Sequence, residues 1–237
     1  MAKKQKKFKQ KRKAWYRGLK NIIKIRYKKP KFIYLGEKPT KNAVILSNHV
    51  GTDAPMSLEI YADFPLRMWG TYEMNSGLRK MYRYQSRVYY HEKKGWNLHL
   101  ARLFCLLASP LTNLFYKGLK LISTYQDSRF RKTLRESLEV IKGGENIVIF
   151  PEISDEGYLD EMKGFYAGFV MLGEICMKND IDISIYPSYF KIKEKVYLFD
   201  KPISYSKLKE IAPTKEEMCK YLTDKCNALG KLDLEKL

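Results

Sequence analysis

Apolar and polar positions along this chain follow two periods. Phe130, Leu134, Leu138 and Ile141 fall at i, i+4, i+8 and i+11, one face of a helix, and Gly143-Gly144 supplies a stop. Ile147 to Phe150 is a short unbroken apolar run, the pattern of a strand covered on both faces. A polar stretch to Lys163 follows, and then Phe165 to Met177 predicts an apolar helix. Ala43 to Leu46, Leu66 to Trp69, Ile183 to Tyr186 and Lys195 to Phe199 predict further short strands. Pro55 suits the opening of a helix, Asn75 to Arg83 is helix-compatible, and Thr214-Lys215-Glu216-Glu217 is a capping box for the last helix. Helices alternating with buried strands imply an α/β sandwich around one sheet.

Two segments break this regularity. Phe8, Trp15, Leu19, Ile22, Ile23 and Ile25 recur at helical spacing among lysines and arginines, the pattern of an amphipathic helix in an anionic membrane interface. A solvated basic tail or a nucleic-acid arm is the other reading of those charges. Leu103 to Ile122 is the most apolar stretch, but Pro110, Asn113, Lys117 and Lys120 interrupt it before the roughly 20 apolar residues of a span. It predicts a buried or interfacial helical hairpin. The aromatic-rich stretches Met81 to Tyr90 and Leu111 to Tyr116 predict core packing, with an apolar tunnel or lipid contact as the alternative.

Charge sharpens the division. Of a net +19, residues 1–32 supply 15 Lys/Arg and no Asp/Glu, leaving 30 basic against 26 acidic residues, or +4, beyond. The chain is therefore divided into a basic membrane-interface arm, residues 1–32, and one α/β domain, residues 33–237. Cys105, Cys176, Cys219 and Cys226 form no CxxC pair, which points away from a zinc site or a disulfide framework and toward a reducing compartment. The basic run leads into no apolar signal segment, so the domain is expected at the cytoplasmic face of a membrane, peripheral or monotopic. Neither a metal nor a nucleic-acid partner is expected.

The chemistry concentrates at two strand ends. Ala43 to Leu46 runs into Ser47-Asn48-His49-Val50-Gly51-Thr52-Asp53, and His49 and Asp53 share one face where the loop winds into a helix. An imidazole that titrates near neutrality suits general-base catalysis, with a carboxylate fixing its tautomer. A histidine that merely shapes a loop is the alternative. Ile147 to Phe150 ends in Pro151-Glu152, where the carboxylate serves either a site or the cap of the next element. His91 and His99 have no partner at a telling spacing and are expected at the surface.

Asn48-His49 with Asp53 after one strand, Phe150-Pro151-Glu152 after a later one, and Ile185-Tyr186-Pro187 after the next helix follow one another in a familiar order. Over roughly residues 40–190 this resembles the glycerolipid acyltransferase family typified by lysophosphatidic acid acyltransferase. The resemblance implies a mixed β-sheet flanked by helices, His49 as general base and Asp53 as its orienting partner. It further implies Asn48, Glu152 and Ser154 at the substrate, with Tyr186 and Pro187 as architecture. No cofactor is implied beyond an acyl-CoA or acyl carrier protein thioester as co-substrate. Three residues separate His49 from Asp53 where the family has four, and Ile153-Ser154-Asp155 replaces its Gly-Thr-Arg. Ser123-Thr124-Tyr125 stands where the family commonly carries another phosphate-binding Arg, which leaves Arg79, Arg129 or Arg131 to supply a cation. The implied function is acyl transfer to a lysophospholipid, glycerolipid or glycolipid hydroxyl in phospholipid biosynthesis. A non-catalytic lipid-binding relative and a basic nucleic-acid-binding protein are the rival readings.

Overall fold

The strand Ala43–Ser47 (β2) lies in the middle of the sheet because all five of its residues can be covered: Val44 and Leu46 face one helical layer, Ala43 and Ile45 the other. This computed structural model describes residues 12–153 and 160–236, and it is an α/β protein of one domain. The other strands are β1 (Lys31–Tyr34), β3 (Leu66–Thr71), β4 (Ile122–Thr124), β5 (Asn146–Ile149), β6 (Ser184–Lys191), β7 (Val196–Phe199) and β8 (Ile203–Ser204). They run in the order β1-β7-β6-β2-β5-β3-β4, with β8 also on β6. β2 is parallel to both β5 and β6, whereas β6 is antiparallel to β7 and β8, so the sheet is mixed.

One layer contains α5 (Phe130–Lys142), α6 (Gly168–Met177), α7 (Tyr205–Ile211) and α8 (Lys215–Lys231). Leu134, Leu138, Phe169, Leu172, Leu208, Met218 and Leu222 seal it against Val44, Leu46, Ile147 and Ile149. The other layer contains α1 (Ala14–Ile23), α2 (Asp53–Tyr61), α3 (Leu78–Arg83) and α4 (Leu98–Leu119), with a π-helical segment Tyr84–Lys93 between the last two. Tyr16, Leu58, Met81, Phe115 and Leu119 close it over Ala43, Ile45, Met68 and Val148.

α5 and α8 form where the periodicity and the capping box place them: Thr214 Oγ1 accepts from Glu217 N at 3.2 Å and Glu217 Oε2 accepts from Thr214 N at 2.9 Å. α6 begins three residues after Phe165, which instead bridges Glu152. The apolar stretch predicted as a hairpin is one uninterrupted helix, α4, with Pro110 inside it. Asn97 caps its start, accepting from His99 N and Leu100 N. Its small side chains Ala101, Cys105 and Ser109, then Phe115 and Gly118, stay buried on both sides of Pro110. That continuous packing offsets the hydrogen bond the proline removes.

Candidate active site

Neighbouring strands β2 and β5 send their chains in opposite directions: β2 leads across β5 to β3, and β5 leads back across β2 to β6. In open α/β sheets the crevice at the carboxyl ends of such strands is where ligands bind. The described parts of both sequence motifs end there, Asn48-His49 after β2 and Phe150-Pro151-Glu152 after β5.

Ser47 and Asn48 anchor the loop. Asn48 Oδ1 accepts from Phe190 N at 2.7 Å and its Nδ2 donates to Phe190 O at 3.2 Å, so its amide pairs with β6 as a strand backbone would. Ser47 Oγ sits 2.7 Å from the Tyr197 hydroxyl. Both residues are fully buried, and Asn48 works as a positioning residue, with its amide turned to β6. Gly51 then turns the chain with φ +55°, a conformation that side chains disfavour, and the backbone winds into α2 at Asp53.

Glu152 is buried, and its Oε2 accepts from the His49 backbone N–H at 3.0 Å. The two motifs are thus tied directly: the carboxylate holds the peptide that carries the imidazole. Glu152 also lines a cavity of about 300 Å³ with Val50, Tyr189 and the β6–β7 turn. Ser154 lies outside the described residues.

His49 meets the Phe150 ring edge to face, with centroids 5.0 Å apart. Its Nδ1 is buried, while the residue as a whole keeps intermediate exposure, so one side of the ring is enclosed and the residue stays reachable. Burial, with a smaller contribution from nearby Lys93, lowers its pKa from 6.5 to about 4, and its own backbone partly opposes the shift. The imidazole is therefore neutral at physiological pH.

Asp53, at the first position of α2, pairs with Lys195 from the β6–β7 turn, Oδ1 to Nζ 3.6 Å. The next residue, Ala54, which occupies the family's spacing from His49, points into the core and is fully buried. Asp53 and Lys195 line a cavity of about 210 Å³ with Arg26, Tyr27, Lys28 and Ser57. Three cations against one carboxylate give the lining of this cavity a net positive charge. The basic segment reaches it through Tyr27, whose hydroxyl lies 3.1 Å from Thr52 Oγ1.

Lys93 and Lys94, at the end of the π-helical segment, come to the same loop: a Cβ at Gly51 would lie 4.0 Å from Lys94 Nζ. Nothing in the amino-acid pattern singles out Lys93, Lys94 or Lys195, and Arg26 and Lys28 are legible only as part of the basic arm, because elements far apart in sequence bring these cations together. Of the arginines considered as replacement anchors, Arg129 is engaged elsewhere: it forks onto Asp127 and lies over the Tyr72 and Tyr125 rings. His91 and His99 are exposed, as expected. Among the described residues no group of His, Cys, Asp and Glu is arranged to hold a metal ion. Compared with protein-family models and with curated proteins, the chain matches none.

Proposed function

We propose that the protein is an acyltransferase of the glycerolipid-acyltransferase type, moving a fatty acyl group from a CoA or acyl carrier protein thioester to a lipid hydroxyl. The observation that carries this is a half-buried imidazole at the crevice of the sheet, its backbone N–H held by the Glu152 carboxylate from the neighbouring strand. In the proposed step His49 takes the acceptor's O–H proton as the oxygen attacks the thioester carbon. The C–S bond breaks and the imidazolium returns the proton to the departing thiolate, so no covalent enzyme intermediate is needed. Burial makes His49 a weaker base than a near-neutral imidazole, and negative charge developing on the attacking oxygen offsets this by favouring its protonated form during the reaction.

The acceptor is a lysophospholipid, glycerolipid or glycolipid. Arg26, Lys28 and Lys195 around Asp53, with Lys93 and Lys94 across the loop, are the cations that would hold a phosphate of donor or acceptor in place of the family's missing arginines. Asp53 then positions Lys195 as much as it does the loop.

The test is release of free thiol from long-chain acyl-CoA and acyl carrier protein with a panel of lysolipid and glycolipid acceptors, followed by mass spectrometry of the lipid. Acceptor-dependent turnover is expected, and a fall of about 10³-fold or more in His49→Ala. Its absence with every donor and acceptor would favour a non-catalytic lipid-binding relative, the reading that the pairing of Asp53 with Lys195 supports.

A further inference from the structure

α4 carries its side chains the wrong way round for a helix in water. Small residues, Ala101, Cys105 and Ser109, face the protein, while Leu100, Leu103, Leu107, Leu111 and Leu114 form an i, i+3, i+7, i+11, i+14 stripe on the exposed side. Leu107 is 76% exposed and Leu100 63%. Phe104 and Leu106 widen the stripe. A helix apolar on all sides is ordinarily buried, and a contiguous exposed apolar face marks a binding surface.

The surface is shared with α1. Tyr16 lies against Phe115, ring centroids 5.4 Å apart, and against Gly118, where any Cβ would overlap its ring. Arg12, Tyr16 and Lys20 turn inward to the buried carboxylate of Glu59, each 3.2 Å from it. Trp15 and Ile22 are left facing outward, with Ile25, 87% exposed, just beyond the helix. Every formal charge of residues 1–32 and of residues 93–126 is positive, with no Asp or Glu in either stretch.

We infer that α4 and α1 together form a monotopic seat that lies in the plane of an anionic lipid bilayer, with the leucine stripe of α4 inserted among the acyl chains. The charge pattern selects this occupant. A second copy seated across a twofold axis would bring Arg17, Arg102 and Lys117 against their own counterparts, with no acidic residue in either stretch to neutralise them, Arg12 and Lys20 being already paired with Glu59. Anionic headgroups neutralise them directly. α4 is long enough to cross a bilayer, but its inner face is packed on the domain and β4 follows it immediately, so it lies alongside rather than through. It also packs on the π-helical segment that ends at Lys93, and Lys94, the next residue, reaches the Gly51 turn of the His49 loop. The inference does not depend on catalysis.

Flotation of the full chain with phosphatidylcholine vesicles, with and without phosphatidylglycerol, tests it. Leu103→Glu/Leu107→Glu/Leu111→Glu changes exposed positions only, and unchanged circular dichroism and melting would verify its fold. Wild type is expected on the anionic vesicles, the variant bound at least about tenfold more weakly. A tryptophan at Leu107 is expected to be quenched by brominated acyl chains. Equal binding by the folded variant, no quenching at position 107, or a wild-type dimer that the variant turns into monomer would overturn the inference. Loss of thiol release with vesicle binding intact would count against the acyltransferase proposal alone.

Discussion

The two helical layers are built on opposite plans. In the layer of α5, α6, α7 and α8, large apolar residues such as Leu134, Phe169 and Leu222 meet the sheet. In the other layer the large leucines of α4 face outward, while Arg12, Lys20 and Glu59 are drawn inside to tie α1 to α2. The first layer stabilises the domain in water by burying apolar surface. The second gives up part of that burial, keeps its order through a buried ionic cluster and small-residue packing, and leaves the apolar face of α4 exposed. The crevice with His49 opens at the carboxyl ends of β2 and β5, its backbone fixed from the sheet and its cations supplied by the segment after α1 and by the β6–β7 turn.

The contrast breaks most sharply at Glu59. Glu59→Ala leaves Arg12 and Lys20 without their carboxylate, and urea unfolding should show a loss of about 3–5 kcal/mol. Proteolysis within residues 12–29 should speed up as α1 lifts; an unchanged protein would mean that α1 is not part of that layer.

Matched leucines probe the two layers next. Leu134 is 3% exposed, and Leu134→Ala should cost about 2–5 kcal/mol in the same measurement.

His49 gives an effect of about 3 kcal/mol that appears only in acid. Folded His49 stays neutral down to about 4, whereas an unfolded histidine takes up its proton near 6.5. Above 6.5 the two states do not differ. As pH falls toward 4 the unfolded chain holds the extra proton, so stability declines across that window. Comparing urea midpoints of wild type and His49→Gln from pH 7 to 4 should show a shallower decline in the variant; parallel curves would mean that the imidazole is not held neutral.

The smallest effect is expected at Leu107. Leu107→Ala should stay within about 0.5 kcal/mol of wild type in water. A loss comparable to that of Leu134→Ala would show that the stripe is covered in solution.

Legibility in the sequence follows the same divide. α5, β5 and α8 announce themselves because periodicity, an apolar run and a capping box are local signals that agree with the packing. α4 was legible as apolar but not as one helix: Pro110 and the following lysines mimic a turn, and only the small-residue face against the domain carries the helix through. The π-helical segment Tyr84–Lys93 has no sequence period of its own. At the site, His49 and Glu152 were legible as strand-end residues, while the hydrogen bond between them depends on β2 and β5 being neighbours. Asp53 was legible as a carboxylate near His49, but its pairing with Lys195 belongs to the β6–β7 turn.

The central claim, that a half-buried, neutral His49 is the base for acyl transfer, is tested most directly by the pH profile of acceptor-dependent thiol release, measured as kcat/KM for wild type beside His49→Ala. The account predicts an acid limb near 4, set by His49, and only residual release in His49→Ala at any pH. A limb near the ordinary histidine value of 6.5, or turnover that survives the loss of His49, would contradict it.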